Sequence, residues 1–91
     1  MSPQSLEPMT VLVRYFASAR AAAGVEEEKL KLPEGSTVAD AVRLVRELHP
    51  GPLPRILDAA SFLLNEVAVR NQNRALSDGA QLDVLPPFAG G

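Results

Sequence analysis

Leu82-Asp83-Val84-Leu85-Pro86-Pro87-Phe88-Ala89-Gly90-Gly91 is the stretch against which the rest of the chain is read. Leu82 and Val84 fall on one side and Leu85 on the other, the period-two pattern of a strand. Pro86-Pro87 stops that strand, because proline has no N–H for a ladder and fixes φ in an extended form. Gly90-Gly91 then has no side chains and wide φ/ψ freedom. Two readings stand for the two glycines. One is a frayed end without a message. The other is a tail, residues 86–91, whose terminal carboxylate is the business end. The prolines push it off the body, and the glycines thread a channel too narrow for a Cβ. Phe88 favours the second, since an exposed phenylalanine on a tail finds its use in a partner's pocket.

Working outward, the last strand needs a place in a sheet. Met9 to Phe16 is rich in β-branched and aromatic residues and reads as the first strand. Val11, Val13 and Tyr15 share its core face; Leu12, Arg14 and Phe16 share the other. Leu12 and Phe16 are either a second packed layer or a partly exposed contact surface. Ala17 to Ala23 reads as a short helix closed by Gly24, with Arg20 on its outer side. Val25 to Leu32 reads as a strand returning beside the first, its acidic run a solvated edge that discourages further pairing.

The clearest helix opens at Thr37, an N-cap with Asp40 three residues on. Val38, Ala41, Val42, Val45 and Leu48 form one apolar stripe. His49 is placed to favour the C-terminal dipole, and Pro50 stops the helix. Residues 50–54 read as a crossing loop and 55–60 as a helical turn. Residues 62–64 and 67–70 are strands about a turn at Asn65-Glu66, and Asp78-Gly79 is the pivot of the next turn. The expected architecture is α+β: a mixed sheet wrapped on one face of the main helix. The last strand lies parallel to the first in mid-sheet, with Val11 and Val13 meeting Leu82 and Val84 over Val42 and Val45. Residues 1–8, with two prolines, Ser, Gln and Glu, read as a disordered leader, and 9–91 as the domain.

Bulk numbers exclude several classes. Ninety-one residues with 46% apolar and 22% charged content fit one small globular domain. A net charge of −2 recommends neither nucleic acid nor an anionic membrane as partner. With no cysteine there is no disulfide framework or thiolate metal site, and one histidine leaves few candidates for a metal centre or a nucleophile–base pair. No stretch approaches the roughly 20 apolar residues of a membrane span. No signal pattern opens the chain, so a soluble cytoplasmic protein is expected.

Four stretches carry a family resemblance: Val13-Arg14-Tyr15-Phe16-Ala17-Ser18-Ala19-Arg20 followed by Gly24; Thr37-Val38-Ala39-Asp40; Leu76-Ser77-Asp78-Gly79; and Leu85-Pro86-Pro87-Phe88-Ala89-Gly90-Gly91. In this order they resemble the ubiquitin-like β-grasp proteins. Within these, the chain resembles the sulfur-carrier branch and the small subunit of molybdopterin synthase, the MoaD family. The Pro-rich segment 50–60 departs from that pattern.

The resemblance implies a carrier and not a free-standing enzyme, with no cofactor bound. It implies that an ATP-using, MoeB-like activating enzyme adenylates Gly91. A sulfur donor such as a cysteine desulfurase or rhodanese then makes the thiocarboxylate. It implies that residues Pro86, Pro87, Phe88, Ala89 and Gly90 thread into the MoaE-like large subunit of molybdopterin synthase. Leu12, Arg14, Phe16 and Arg20 are the candidates for partner contact. Other readings are a sulfur carrier for thiamine, cysteine or tRNA thiolation, a ubiquitin-like protein modifier joined through Gly91, and a β-grasp binding module with an inert terminus.

Overall fold

The computed structural model describes residues 8–87; the tail residues Phe88, Ala89, Gly90 and Gly91 and the leader residues 1–7 lie outside the described residues. Strict alternation makes β1 (Pro8–Tyr15) the organising strand: Met9, Val11, Val13 and Tyr15 are buried on one face, and Leu12 and Arg14 are half-buried on the other. A short helix α1 (Ala17–Ala23) follows and ends as expected at Gly24. There φ is +81° and the amide donates to the Arg20 carbonyl at 2.9 Å. The returning strand β2 (Glu27–Pro33) starts two residues later than the sequence implies. Val25 instead serves the turn out of the left-handed glycine and stays 41% exposed.

Helix α2 (Val38–Leu48) begins with the expected reciprocal cap. The Asp40 amide donates to Thr37 Oγ1 at 3.3 Å, and the Thr37 amide donates to Asp40 Oδ2 at 2.9 Å. The next free donors are also met: the Val38 and Ala39 amides donate to the Arg74 and Gln72 carbonyls at 3.0 and 2.9 Å. Val38, Ala41, Val42 and Val45 are buried, but Leu48 is 50% exposed and leaves the expected stripe. At 3.6 residues per turn it sits about 70° around the helix from the centre of the other four.

The segment after Pro50 also differs from expectation. Helix α3 runs Leu53–Ala59, not from Arg55, because Pro54 falls in the first turn, where no N–H is required. Leu53 and Leu57 fall one turn apart and are both buried. Strands β3 (Ser61–Leu64) and β4 (Val67–Ala68) form a hairpin about Asn65-Glu66, whose φ values of 50° and 72° match a two-residue primed turn. β4 is shorter than the expected 67–70. Strand β5 (Gln81–Leu85) completes the sheet.

The sheet order is β2-β1-β5-β3-β4. β5 lies parallel to β1, with Val13 opposite Leu82 and Tyr15 opposite Val84, and antiparallel to β3. The Asp78-Gly79 pivot is bolted to β1: Thr10 donates to Asp78 Oδ1, and the Gly79 amide donates to the Thr10 carbonyl, both at 2.8 Å. One core joins the inner sheet face to the helices, through Val11, Val13, Leu82, Val84, Phe62 and the α2 stripe. This is the mixed-sheet α+β, ubiquitin-like β-grasp arrangement, and among the described residues no helix covers the opposite sheet face. Among the described residues no helix is long and apolar enough to cross a membrane.

Candidate functional site: the open sheet face and the tail exit

The pleat carries Leu12, Arg14 and Phe16 to the face away from the helices, and the register brings Asp83, Leu85 and Leu63 beside them. Arg14 stands opposite Asp83, and Asp83 opposite Leu63. All four apolar side chains, Leu12, Phe16, Leu63 and Leu85, are half-buried. Leu12 and Phe16 therefore form a partly exposed surface and not a second packed layer.

At the centre of that surface Arg14 Nε lies 3.2 Å from Asp83 Oδ1. The Arg14 guanidinium stands 5.2 Å from the centroid of the Phe16 ring, within cation–π range. The Asp83 side chain is only 6% exposed, against 38% for Arg14. Burying a carboxylate is costly unless it is paired, so the guanidinium is what allows an acid in the central strand. Gln81 Nε2 approaches the same oxygen at 3.5 Å.

Arg20 is exposed on α1 and paired with Glu26 at 2.8 Å. It shares with Arg14, Phe16 and Ala17 a shallow cleft of about 260 Å³ where β1 turns into α1. Ala17 takes φ of 52° there, a left-handed conformation that strains a residue with a Cβ. The four contact candidates thus lie in one region. Pro86 is half-buried and Pro87 exposed, and they leave β5 from mid-sheet, where the Phe16 amide donates to the Val84 carbonyl at 3.3 Å.

Two groups escaped the sequence reading. Asp83 looked like one polar residue of a strand, yet an acid between Leu82 and Val84, with Arg14 equally placed in β1, was the available signal. The second group is Tyr15, Glu28 and His49. His49 caps α2, and its Nε2 lies 2.5 Å from Glu28 Oε2, an oxygen that also accepts from the Tyr15 hydroxyl. The Tyr15 and His49 rings meet edge to face at 5.8 Å. Burial raises the Tyr15 pKa, and the hydrogen bond to Glu28 and its negative charge push it further the same way. These three side chains lock β2 to the end of α2, a tertiary role beyond the dipole argument. Among the described residues no three His, Asp or Glu side chains converge as metal ligands would.

Comparison with known proteins places this geometry. The model of the ThiS family matches residues 13–91. The molybdopterin synthase sulfur carrier subunit of Chlamydomonas reinhardtii is 36% identical over 84 residues, covering 91% of this chain and all of that protein. The complex of subunits 1 and 2 of the molybdopterin-converting factor from Helicobacter pylori contains a chain with a TM-score of 0.69. That chain is 25% identical, and the match covers 91% of this chain and 100% of that one. The small archaeal modifier protein 1 of Methanosarcina acetivorans superposes with a TM-score of 0.78 at 25% identity, covering 92% of this chain and 98% of that one. The chain belongs to the ThiS family and is a homologue of the molybdopterin synthase sulfur-carrier subunit.

Proposed function

We propose that this chain is a sulfur carrier for molybdenum-cofactor synthesis. Gly91 is adenylated at its carboxylate by an ATP-using activating enzyme, with release of pyrophosphate. A cysteine desulfurase or rhodanese then presents a persulfide whose outer sulfur attacks the carbonyl carbon and expels AMP. A thiol cleaves the resulting acyl disulfide, supplying the two electrons and becoming a disulfide with the donor's cysteine, and a terminal thiocarboxylate remains. The tail carries that sulfur into the large subunit of molybdopterin synthase, where it is transferred to a cyclic pterin precursor.

The observation that carries this reading is full-length similarity to the algal carrier subunit, combined with Pro86-Pro87 leaving the central strand beside an open, partly apolar face. A carboxylate is a poor electrophile, and adenylation gives it a leaving group. Glycine at the end keeps the attack uncrowded. The body supplies binding energy remote from the reacting atoms, which fixes the tail in place. The chain itself holds no cofactor and turns over nothing alone; it is a subunit and a substrate. The open face with Leu12, Arg14 and Phe16, together with Arg20 at its margin, is the surface offered to the large subunit. The Helicobacter protein–protein complex of subunits 1 and 2 supports a partner of that kind.

The test is the intact mass of the protein taken from its own cells, followed by fragmentation of the C-terminal peptide. Exchange of one oxygen for sulfur on Gly91 is expected. A terminus that remains carboxylate after incubation with ATP, a sulfur source and the cell's activating enzymes would overturn the proposal. The likeness to the archaeal modifier favours a second reading, attachment through Gly91 to lysines of target proteins. Isopeptide-linked, higher-mass forms in lysate would support that one.

A further inference from the structure

The open sheet face is apolar at Leu12, Phe16, Leu63 and Leu85, yet its middle is a charged pair. Asp83 is covered by the sheet itself, while the Arg14 guanidinium is more than a third exposed. Arg14 brings five N–H donors. Among the described residues Asp83 is its one ion-pair partner, met through Nε, so the outer edge of the guanidinium is left to water. A partner that covers this face removes that water. Each donor then left without an acceptor weakens binding, and a paired charge that loses its mate weakens it more.

Charge decides what the acceptor is. Glu27 stands opposite Arg14 on β2, and Lys29 stands opposite Leu12 on the neighbouring rung. Around the guanidinium, therefore, Arg14 and Lys29 balance Glu27 and Asp83, while Lys31 lies one same-face position further along β2, opposite Thr10 and past Leu12. The ground around the guanidinium thus has no net charge to offer a partner's ion. An uncharged oxygen fits it better than a carboxylate, which would add a third acid beside Asp83 and Glu27.

We infer that the Arg14–Asp83 pair is the specificity determinant of this docking face. It selects a partner surface that sets a neutral acceptor, a main-chain or side-chain amide carbonyl oxygen, against the exposed edge of the Arg14 guanidinium within an apolar ring. Purely apolar surfaces are rejected because they strand the guanidinium. The inference rests on the carrier reading, which supplies the large synthase subunit as the partner.

The experiment is calorimetric titration of the full-length chain with two large subunits. One is from the same organism. The other is from an organism whose own carrier has apolar residues at both corresponding positions. Wild type, Arg14→Leu, Asp83→Ala and the double variant are compared. Each single change is expected to weaken cognate binding about 30-fold, or about 2 kcal/mol at roughly 1.4 kcal/mol per tenfold. The double variant is expected to bind the cognate subunit about tenfold more weakly than wild type, less than either single change costs, because no charge is left stranded but the partner's carbonyl oxygen still loses its donor. It is also expected to bind the second subunit about tenfold more tightly than wild type does.

Single variants within about threefold of wild type, or a double variant whose loss is the sum of the singles, would overturn the inference. Circular dichroism verifies folding. Should a truncation unfold the chain, Asp83→Asn and Arg14→Lys replace it and are expected to weaken cognate binding about tenfold each, with the same overturning results. A wild-type chain that binds neither large subunit would overturn the carrier reading itself, a result distinct from variants that bind as wild type does.

Discussion

Tyr15→Phe removes one hydroxyl from the Tyr15–Glu28–His49 cluster and leaves the ring in place. The ring is 2% exposed, so the substitution opens almost no cavity, and the cost comes from the lost hydrogen bond. A bond to a charged acceptor contributes about 1.5–3 kcal/mol. Glu28 keeps His49, and its side chain is 24% exposed, so water replaces part of what is lost. The expected cost is about 1.5 kcal/mol, at the low end of that range. A chain of this length has a total stability of roughly 5–14 kcal/mol, so the change is easily measured. It corresponds to a fall of about 6–12 °C in Tm for a domain of this size.

Urea denaturation at neutral pH, followed by circular dichroism, gives the free energy, and a Glu28→Ala background supplies the control. In that background the hydroxyl has lost its acceptor, and Tyr15→Phe is expected to cost less than about 0.5 kcal/mol. Equal costs in both backgrounds would refute the argument, because the hydroxyl would then owe nothing to Glu28. Alkaline pH offers an independent view. The folded pKa of Tyr15 lies above its unfolded value, so its contribution is fully present below about pH 10 and declines as pH rises beyond it. Wild type is expected to lose stability above pH 10 with a slope steeper than Tyr15→Phe by up to about 1.4 kcal/mol per pH unit.

Leu82→Ala deletes a fully buried side chain opposite Val13 in the central strand and is expected to cost about 2.5–5 kcal/mol, with an unchanged urea m-value. Asp40 is held below its usual pKa, first by the backbone and side-chain hydrogen bonds of Thr37 and then by Arg43. Its contribution is present above the unfolded carboxylate value and is lost as pH falls through the folded one. Acid titration of Asp40→Asn should therefore show a shallower decline than wild type below about pH 4. Glu66→Gly relieves a left-handed residue in the β3–β4 turn and is expected to raise stability by about 0.5–1 kcal/mol, read as a higher urea midpoint.

Local chemistry made much of this fold legible. Alternation in residues 9–15 announced β1 and its core face, since a half-buried strand needs that pattern. Thr37 and Asp40 announced the start of α2 because the cap closes within four residues. Gly24 and Asp78-Gly79 marked sharp turns for the same reason. What stayed hidden depended on contacts made at long range. Leu48 has the spacing of a core residue but sits at the margin of its stripe. The start of α3 was concealed by Pro54, whose cost vanishes only in a first turn. Glu28 and His49 belong to different elements, and the Arg14–Asp83 pair exists only in the parallel register of β1 with β5. Sequence periodicity found the face on which Arg14 lies; only the register supplied its mate.

Placing the late-made strand β5 between β1 and β3 has a consequence for synthesis. While a ribosome is still making residues 81–85, the β1–β2 ribbon and the β3–β4 hairpin have no strand to join them. Each leaves an inner edge unpaired, and the Asp78 contact with Thr10 is still unmade. Insertion of β5 closes both edges in one event. An emerging chain that has not finished folding thus has no sheet from which Pro86 and Pro87 can project. Sheet completion therefore also fixes where Pro86 and Pro87 leave the body, so their exit is set by the last step of folding and not before it.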